Sequence, residues 1–424
     1  MNASLFQAPA RFLFACLFLS VSSGSFAQEQ KPSGIDFFHG SFAELKAKSA
    51  QTGKPIFMDA FTTWCGPCKW MAKTVFTSKE AGDYYNQNFI CAKVDMEKGE
   101  GIELAKTYEV NAYPTLLFLN ASGEMIHRSV GAVDAAKFVE LGKTALNPDL
   151  NLAGLAKKHQ AAPADFDIAY TYFYSLNDAN LSGNLKSAVD RWFGAQPPAS
   201  WAERQNWKML YDFVDSPENA AFRHMVVNIR DFQSRYTADS VNDKARKVYF
   251  TDLQGAAYNG DLERWKKDSA AITSLNLKDG NRFIASTTII QAGDDINLAL
   301  SRVMKFMKDF GSENPGELNE YAWKMFEASE DKAQLAAAES WAKKGLDLSG
   351  GDYMIHDTYA SLLYKNKKLA PAKAEASKAI ERGRKDGQDV SGTESLLARI
   401  EEDMKKTVPA PVKKAAKPGS GKKK

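Results

Sequence analysis

Cysteine and histidine are scarce in this chain, with four and five copies in 424 residues. So few thiols exclude a small scaffold knitted together by disulfides. They also leave no zinc set. The one close pair, Cys65 and Cys68, has neither a second pair nor a His-x₃-His near it, so no metal and no cofactor is expected. Signatures of other chemistry are missing as well: there is no HExxH, no GxSxG and no P-loop. The formal net charge is only +3, and no nucleic-acid partner is expected from it. After residue 27 no apolar run reaches the length of a membrane span. What remains is ordinary for a globular protein. With 44% hydrophobic and 25% charged residues a core can be buried, and the length suits two or three domains.

The first residues differ from the rest. Residues 1–11 carry one charge, Arg11, and residues 12–21 are almost wholly apolar. Ser25-Phe26-Ala27 then sets small residues at the positions a signal peptidase reads. This predicts a cleaved secretory signal over 1–27 and a mature protein in the periplasm, an oxidising compartment. Three cysteines survive cleavage: Cys65, Cys68 and Cys91. An odd number cannot all pair, which favours a working Cys65-x-x-Cys68 over a structural framework. Removing Arg11 and the eight lysines from Lys405 onward takes the net charge from +3 to −6 for residues 28–404. The body is mildly acidic. The tail, 401–424, is lysine-rich and too poor in apolar residues to fold.

Residues 28–147 read as one α/β domain. Ser41 with Glu44 is a capping box, which predicts a helix to about residue 51. Ile56–Phe61 reads as a buried strand, 65–78 as a helix, 89–94 as a strand and 101–108 as a short helix. Thr115–Leu119 and 124–130 read as two strands joined by a turn at Asn120-Ala-Ser-Gly123, and Asp134 caps a closing helix. Strands separated by helices should be parallel, and the last two should form a hairpin.

The stretch Thr62-Thr63-Trp64-Cys65-Gly66-Pro67-Cys68-Lys69 carries the chemistry. Two thiols at this spacing at a helix start can close a small disulfide ring and open it again. Unpaired N–H groups and the helix dipole favour an anion at Cys65, so its thiol should titrate low and act as nucleophile. Cys68, further in, should resolve the mixed disulfide.

With these residues in view, the segment resembles thioredoxin. Trp64-Cys65-Gly66-Pro67-Cys68-Lys69 matches that family's active-site motif, and Asp59 stands where the family has a buried aspartate. Lys93 matches the lysine of the neighbouring strand, Tyr113-Pro114-Thr115 the cis-proline loop, and Gly131 a glycine near the last strand. The resemblance implies that Asp59 accepts the proton of Cys68 through a water, with Lys93 tuning it. It implies that Trp64, Gly66, Pro67, Tyr113 and Pro114 border the substrate. The Gly-Pro pair goes with a reducing potential, about −270 mV in thioredoxins, so a reductase of disulfides in exported proteins is expected. A membrane thiol carrier would supply its electrons. Met58-Asp59-Ala60-Phe61 is closer to the exported relatives, and Thr62 and Thr63 depart from the usual small and acidic residues. Cys91 reads as a buried apolar residue on the face of Lys93. Two other readings stay open: a partner-binding scaffold with an incidental Cys-x-x-Cys, and a disulfide oxidase or isomerase.

From residue 148 the pattern is helical. Apolar spacing predicts helices over 161–176, 185–193, 201–213, 222–232, 244–258 and 298–310. Trp192, Trp201, Trp207 and Trp265 fall at core spacing rather than forming a ligand cage. Domains are expected over 148–315 and 316–400. In the second, Tyr321-Ala322 recurs as Tyr359-Ala360 and Ala338-Glu339 as Ala374-Glu375. That period resembles tetratricopeptide repeats, which implies stacked helix pairs that bind a peptide or protein partner.

Overall fold

A computed structural model describes residues 34–407. The leader expected over 1–27 and the chain from 408 lie outside the described residues. α1 (Phe42–Thr52) opens on the expected capping box: the Ser41 hydroxyl accepts from the Glu44 N–H, and the Glu44 carboxylate accepts from the Ser41 N–H. There follow β1 (Ile56–Phe61), α2 (Gly66–Thr74), α3 (Lys79–Asn88), β2 (Ile90–Asp95), α4 (Gly101–Thr107), β3 (Thr115–Leu119), β4 (Met125–Val130) and α5 (Ala135–Leu146). The four strands form one mixed sheet in the order β2-β1-β3-β4. β1 and β2 run parallel, with Asp59 beside Lys93, while β3 is antiparallel to both β1 and β4.

Side chains alternate across the sheet and build a core on each face. Phe57, Leu116 and Phe118 meet Met71, Val75, Phe76, Tyr85 and Phe138 on one side. Ile56, Met58, Ala60, Leu117 and Leu119 meet Leu45, Leu104 and Tyr108 on the other. Tyr85 stacks on Phe138 at 4.0 Å, and its hydroxyl donates to the Phe138 carbonyl at 2.7 Å. Each such fully buried large side chain contributes about 1.5–3 kcal/mol.

The second expected helix is shorter than its pattern, and a further helix follows that was not expected. The helix read over 65–78 stops at Thr74, and the Ser78 hydroxyl caps a new one by accepting from the Ala81 N–H. α3 then lies against the chain entering the domain, because Gly82 has no Cβ; one built there would stand 2.4 Å from the Gly34 carbonyl oxygen.

The chain divides into two compact units, one up to Leu185 and one from Lys186. The first therefore includes α6 (Leu152–Ala161) and α7 (Phe166–Asp178), beyond the domain edge expected at 147. α6 packs on β4 and covers an edge strand that would otherwise stand open. The helix expected over 161–176 begins only at Phe166, where the Asp165 carboxylate caps it. The division between units falls within α8 (Ser182–Gly194).

The second unit is wholly helical among the described residues. It holds α9 (Arg204–Phe213), α10 (Ala220–Val227), α11 (Ile229–Tyr236), α12 (Ala238–Tyr258), α13 (Leu262–Ser274), α14 (Gly280–Ile290) and α15 (Ile296–Asp309). Next come α16 (Pro315–Ala328), α17 (Lys332–Ser349), α18 (Tyr353–Lys365), α19 (Leu369–Lys385) and α20 (Ser391–Thr407). The helix expected over 222–232 is broken at Asn228, and α20 continues past residue 400. Trp192, Trp201 and Trp207 are buried. The Trp192 indole donates to Asn206, and that of Trp265 to Thr287. From α16 to α20 each helix packs on the next, and α18 also touches α16 and α20. Ala322, Ala338, Ala342, Ala360, Ala372 and Ala376 are fully buried, which lets these helices approach closely. No helix among the described residues is long and apolar enough to cross a membrane.

Candidate functional site

β1 leads into the Cys65 loop. Thr62 stays buried, and the chain turns so that Cys65 becomes the N-cap of α2. Pro67 sits in the first turn, where its missing N–H leaves no bond unmade. Cys65 and Cys68 are joined in a disulfide, with Cα atoms 5.3 Å apart. The Cys68 N–H points at Cys65 Sγ, 3.1 Å away. That donor and the start of α2 are placed to hold a thiolate at Cys65 once the disulfide is opened.

Asp59 lies on the sheet face that carries Phe57 and faces α2. It is fully buried, and neither carboxylate oxygen has a hydrogen-bond partner among the described residues. Lys93 Nζ is 3.6 Å from Oδ2, an ion-pair distance too long for a direct hydrogen bond. Burial raises the Asp59 pKa from its ordinary 3.8 to about 6, against the pull of Lys93. The lysine ammonium also sits over the Phe61 ring at 4.6 Å and the Phe76 ring at 5.7 Å, so aromatic faces hold it alongside the ion pair.

The rim is built from two loops. The Tyr113–Pro114 peptide is cis, and the Pro114 carbonyl accepts from the Gly131 N–H at 2.9 Å. Gly131 has φ 101°, a backbone region that L side chains rarely adopt. Trp64 is 65% exposed and meets the Tyr113 ring edge-on at 5.9 Å. Its indole N–H donates to Glu97 at 2.9 Å. Glu97 went unnoticed in the sequence, and no spacing rule announces it: it lies in the turn after β2, where its own N–H donates to Asp95.

The structure thus joins Cys65 to Cys68, sets Asp59 against Lys93 and Trp64 against Tyr113. Gly66 is exposed beside Pro67, and a Cβ there would meet nothing within 4 Å. Cys91 is a free, buried thiol in the aromatic cluster, and burial pushes its pKa far up. Trp70, on the exposed side of α2, is 46% exposed. Among the described residues no group of three or more His, Cys, Asp or Glu side chains could hold a metal ion. Chemically, the arrangement offers a disulfide that opens to a nucleophilic thiol and a resolving thiol, with a buried carboxylate of near-neutral pKa on the sheet face that α2 covers.

Comparison with known proteins converges on this segment. Residues 42–146 match the family described as the thioredoxin-like domain. A thioredoxin-like protein of Synechocystis is 33% identical over 100 residues, 24% of this chain and 87% of that protein. The thiol:disulfide interchange protein DsbD of Yersinia pestis is 34% identical over 101 residues, 23% of this chain and 17% of DsbD. The solution structure of a candidate disulphide-isomerase from Bacteroides thetaiotaomicron is 48% identical, covers 28% of this chain and 97% of its own, and has a TM-score of 0.26. Each match covers less than a third of this chain, so none of them bears on the activity or partners of the whole.

Proposed function

Because this chain belongs to the thioredoxin-like family of thiol–disulfide oxidoreductases, we propose that it is an exported reductase of disulfides in periplasmic proteins. The observation that carries the reading is the Cys65–Cys68 disulfide at the start of α2, on the sheet face that buries Asp59. In the reduced protein the Cys65 thiolate attacks a substrate disulfide, and one substrate sulfur leaves as thiolate. Cys68 gives up its proton, with Asp59 as acceptor, and attacks Cys65 Sγ. The second substrate thiolate leaves, and the protein's two sulfur electrons have passed to the substrate. Lys93 tunes Asp59, while Trp64, Gly66, Pro67, Tyr113 and Pro114 border the groove. A membrane thiol carrier recharges the dithiol. The stacked helices α16–α20, with their small residues at the crossings, are tetratricopeptide-like and hold a peptide or protein partner.

The mature protein with dithiothreitol should precipitate insulin by reducing its disulfides, and Cys65→Ser should abolish this. Equal turnover by wild type and variant would overturn the reading. Equilibration with glutathione buffers fixes the direction: a potential near about −120 mV, as in strong oxidants, would rule out a reductase. Cys68→Ser should leave substrates trapped on Cys65, where mass spectrometry can identify them.

A further inference from the structure

Resting on the reductase reading, we infer that the two rims of the Cys65 groove carry opposite charge. They select polypeptide disulfides whose flanking residues are acidic on the α2 side. α2 contains two lysines and no acid. Lys69, Trp70 and Lys73 all lie on its exposed face. Neither lysine has an ion-pair partner among the described residues, and the Trp70 ring, 46% exposed, has no ring or hydrogen-bond partner there. Lys69 follows Cys65 by about 6 Å along the helix axis and Lys73 by about 12 Å, so at low salt, about 0.01 M, where the Debye length is about 30 Å, both charges act on the reacting sulfur.

The opposite rim is acidic. From the last residue of β2 to α4 the charged residues are Asp95, Glu97, Lys98 and Glu100. Lys98 is taken up by Asp95 at 2.8 Å, and Glu100 is turned away to accept from the Phe42 N–H. Glu97 remains, fixed by the Trp64 indole and carrying a charge that a neutral N–H does not cancel. A substrate strand lying across Cys65 therefore meets cations and an open indole on one side, and an anion on the other. Such fields act on encounter, so they should appear in the second-order rate constant and fade with salt.

The chemical step is unchanged. The Cys65 thiolate bonds to one substrate sulfur, the substrate S–S bond breaks, and the departing thiolate takes a proton from water. Cys68 then passes its proton to Asp59 and attacks Cys65 Sγ; the mixed-disulfide bond breaks, the second substrate sulfur leaves as thiolate, and the Cys65–Cys68 disulfide is closed.

The test uses the full mature chain, reduced with dithiothreitol and freed of it, mixed in stopped flow with three small disulfides. These are dianionic 5,5′-dithiobis(2-nitrobenzoate), neutral bis(2-hydroxyethyl) disulfide and dicationic cystamine. The neutral probe divides out any change in the Cys65 thiolate itself. Relative to it, Lys69→Glu/Lys73→Glu should lower the dianion rate about 10-fold and raise the cystamine rate by a similar factor, with both effects collapsing at high salt. Glu97→Gln keeps an acceptor for Trp64 and removes the charge. It should raise the dianion ratio about 2- to 3-fold. If the double variant leaves both ratios within about two-fold of wild type at low salt, the charge inference is overturned while the reductase reading stands. If wild type reacts with none of the three, the reductase reading itself fails and this inference with it.

Discussion

Asp59 offers the sharpest prediction, because one substitution should separate its energetic cost from its use. Its folded pKa of about 6 lies above its ordinary 3.8, and desolvation is the main cause. Between those values the folded protein holds a proton that the unfolded chain has released. Stability is therefore greatest below pH 3.8 and is lost as pH rises to 6, after which the loss is constant. Integrating over the window gives a cost of less than about 1 kcal/mol at pH 4, about 2 at pH 5 and about 3 at pH 8. Asp59→Asn removes the ionisation and leaves only a pH-independent offset for the buried amide. Hydrogen-exchange mass spectrometry on β3 peptides, compared between wild type and variant at each pH, reads the difference directly, because intrinsic exchange rates cancel. The stability gap should move in favour of the variant by about 2 kcal/mol or more between pH 4 and 8. The same variant should slow resolution by Cys68 about 100-fold, the usual worth of a positioned base. A gap that stays flat with pH would refute the reasoning, since it would mean Asp59 is no harder to ionise inside the protein than outside.

Removing the ammonium that faces Asp59, as in Lys93→Met, should push the Asp59 pKa further up, and the acid limb of the pH–rate profile for disulfide reduction should move to higher pH; an unmoved limb would break the pairing. Cys91 in the native protein should resist iodoacetamide at pH 8, where exposed thiols react, and become alkylated only in denaturant, as intact-mass measurement can show. Phe138→Ala should destabilise the first unit by about 3–5 kcal/mol, because it opens a cavity against Tyr85 and Phe57; hydrogen exchange in β1 and α3 peptides checks this.

The sequence disclosed the sheet well where burial was continuous. β1 was legible to the residue, because an unbroken apolar run lies between Gly53-Lys54-Pro55 and two threonines, and β3 for the same reason. The capping box at Ser41 and the cap at Asp134 set α1 and α5. α3 escaped because only Ala81, Gly82 and Tyr85 of its ten residues are buried, too thin a stripe to register as periodic. In the second unit α13 escaped for a related reason. It buries Asp268 and Ile272, and a buried carboxylate reads as an exposed position; burial pushes the Asp268 pKa up to about 6. The site divides in the same way. Cys65, Cys68, Asp59, Lys93 and Pro114 could be singled out as candidates because they occupy recognisable positions in a motif or strand. Glu97 was not, because its contact with Trp64 spans 33 residues and depends on how two loops close.

A buried acid that costs about 3 kcal/mol at pH 8 must be offset nearby, and the sheet shows where. Phe57 lies two residues before Asp59 on the same face of β1. Its ring meets Phe76, Tyr85, Phe118 and Phe138 at centroid distances of 6.3, 4.9, 5.4 and 5.2 Å. Each aromatic pair contributes about 0.5–1.5 kcal/mol beyond simple burial. Four such pairs match the cost of Asp59 without drawing on the rest of the core. The strand that carries the destabilising charge is therefore also heavily anchored by rings, and the two features belong together. A domain tuned only for stability would keep the rings and neutralise the acid. Retaining both is what a site would require if it had to release and take up a proton beside a thiol near neutral pH. The coupling has a consequence: Phe57→Leu should destabilise the first unit less in the Asp59→Asn background at pH 8 than in wild type if the rings restrain water from reaching the carboxylate, and equally in both if they only add packing.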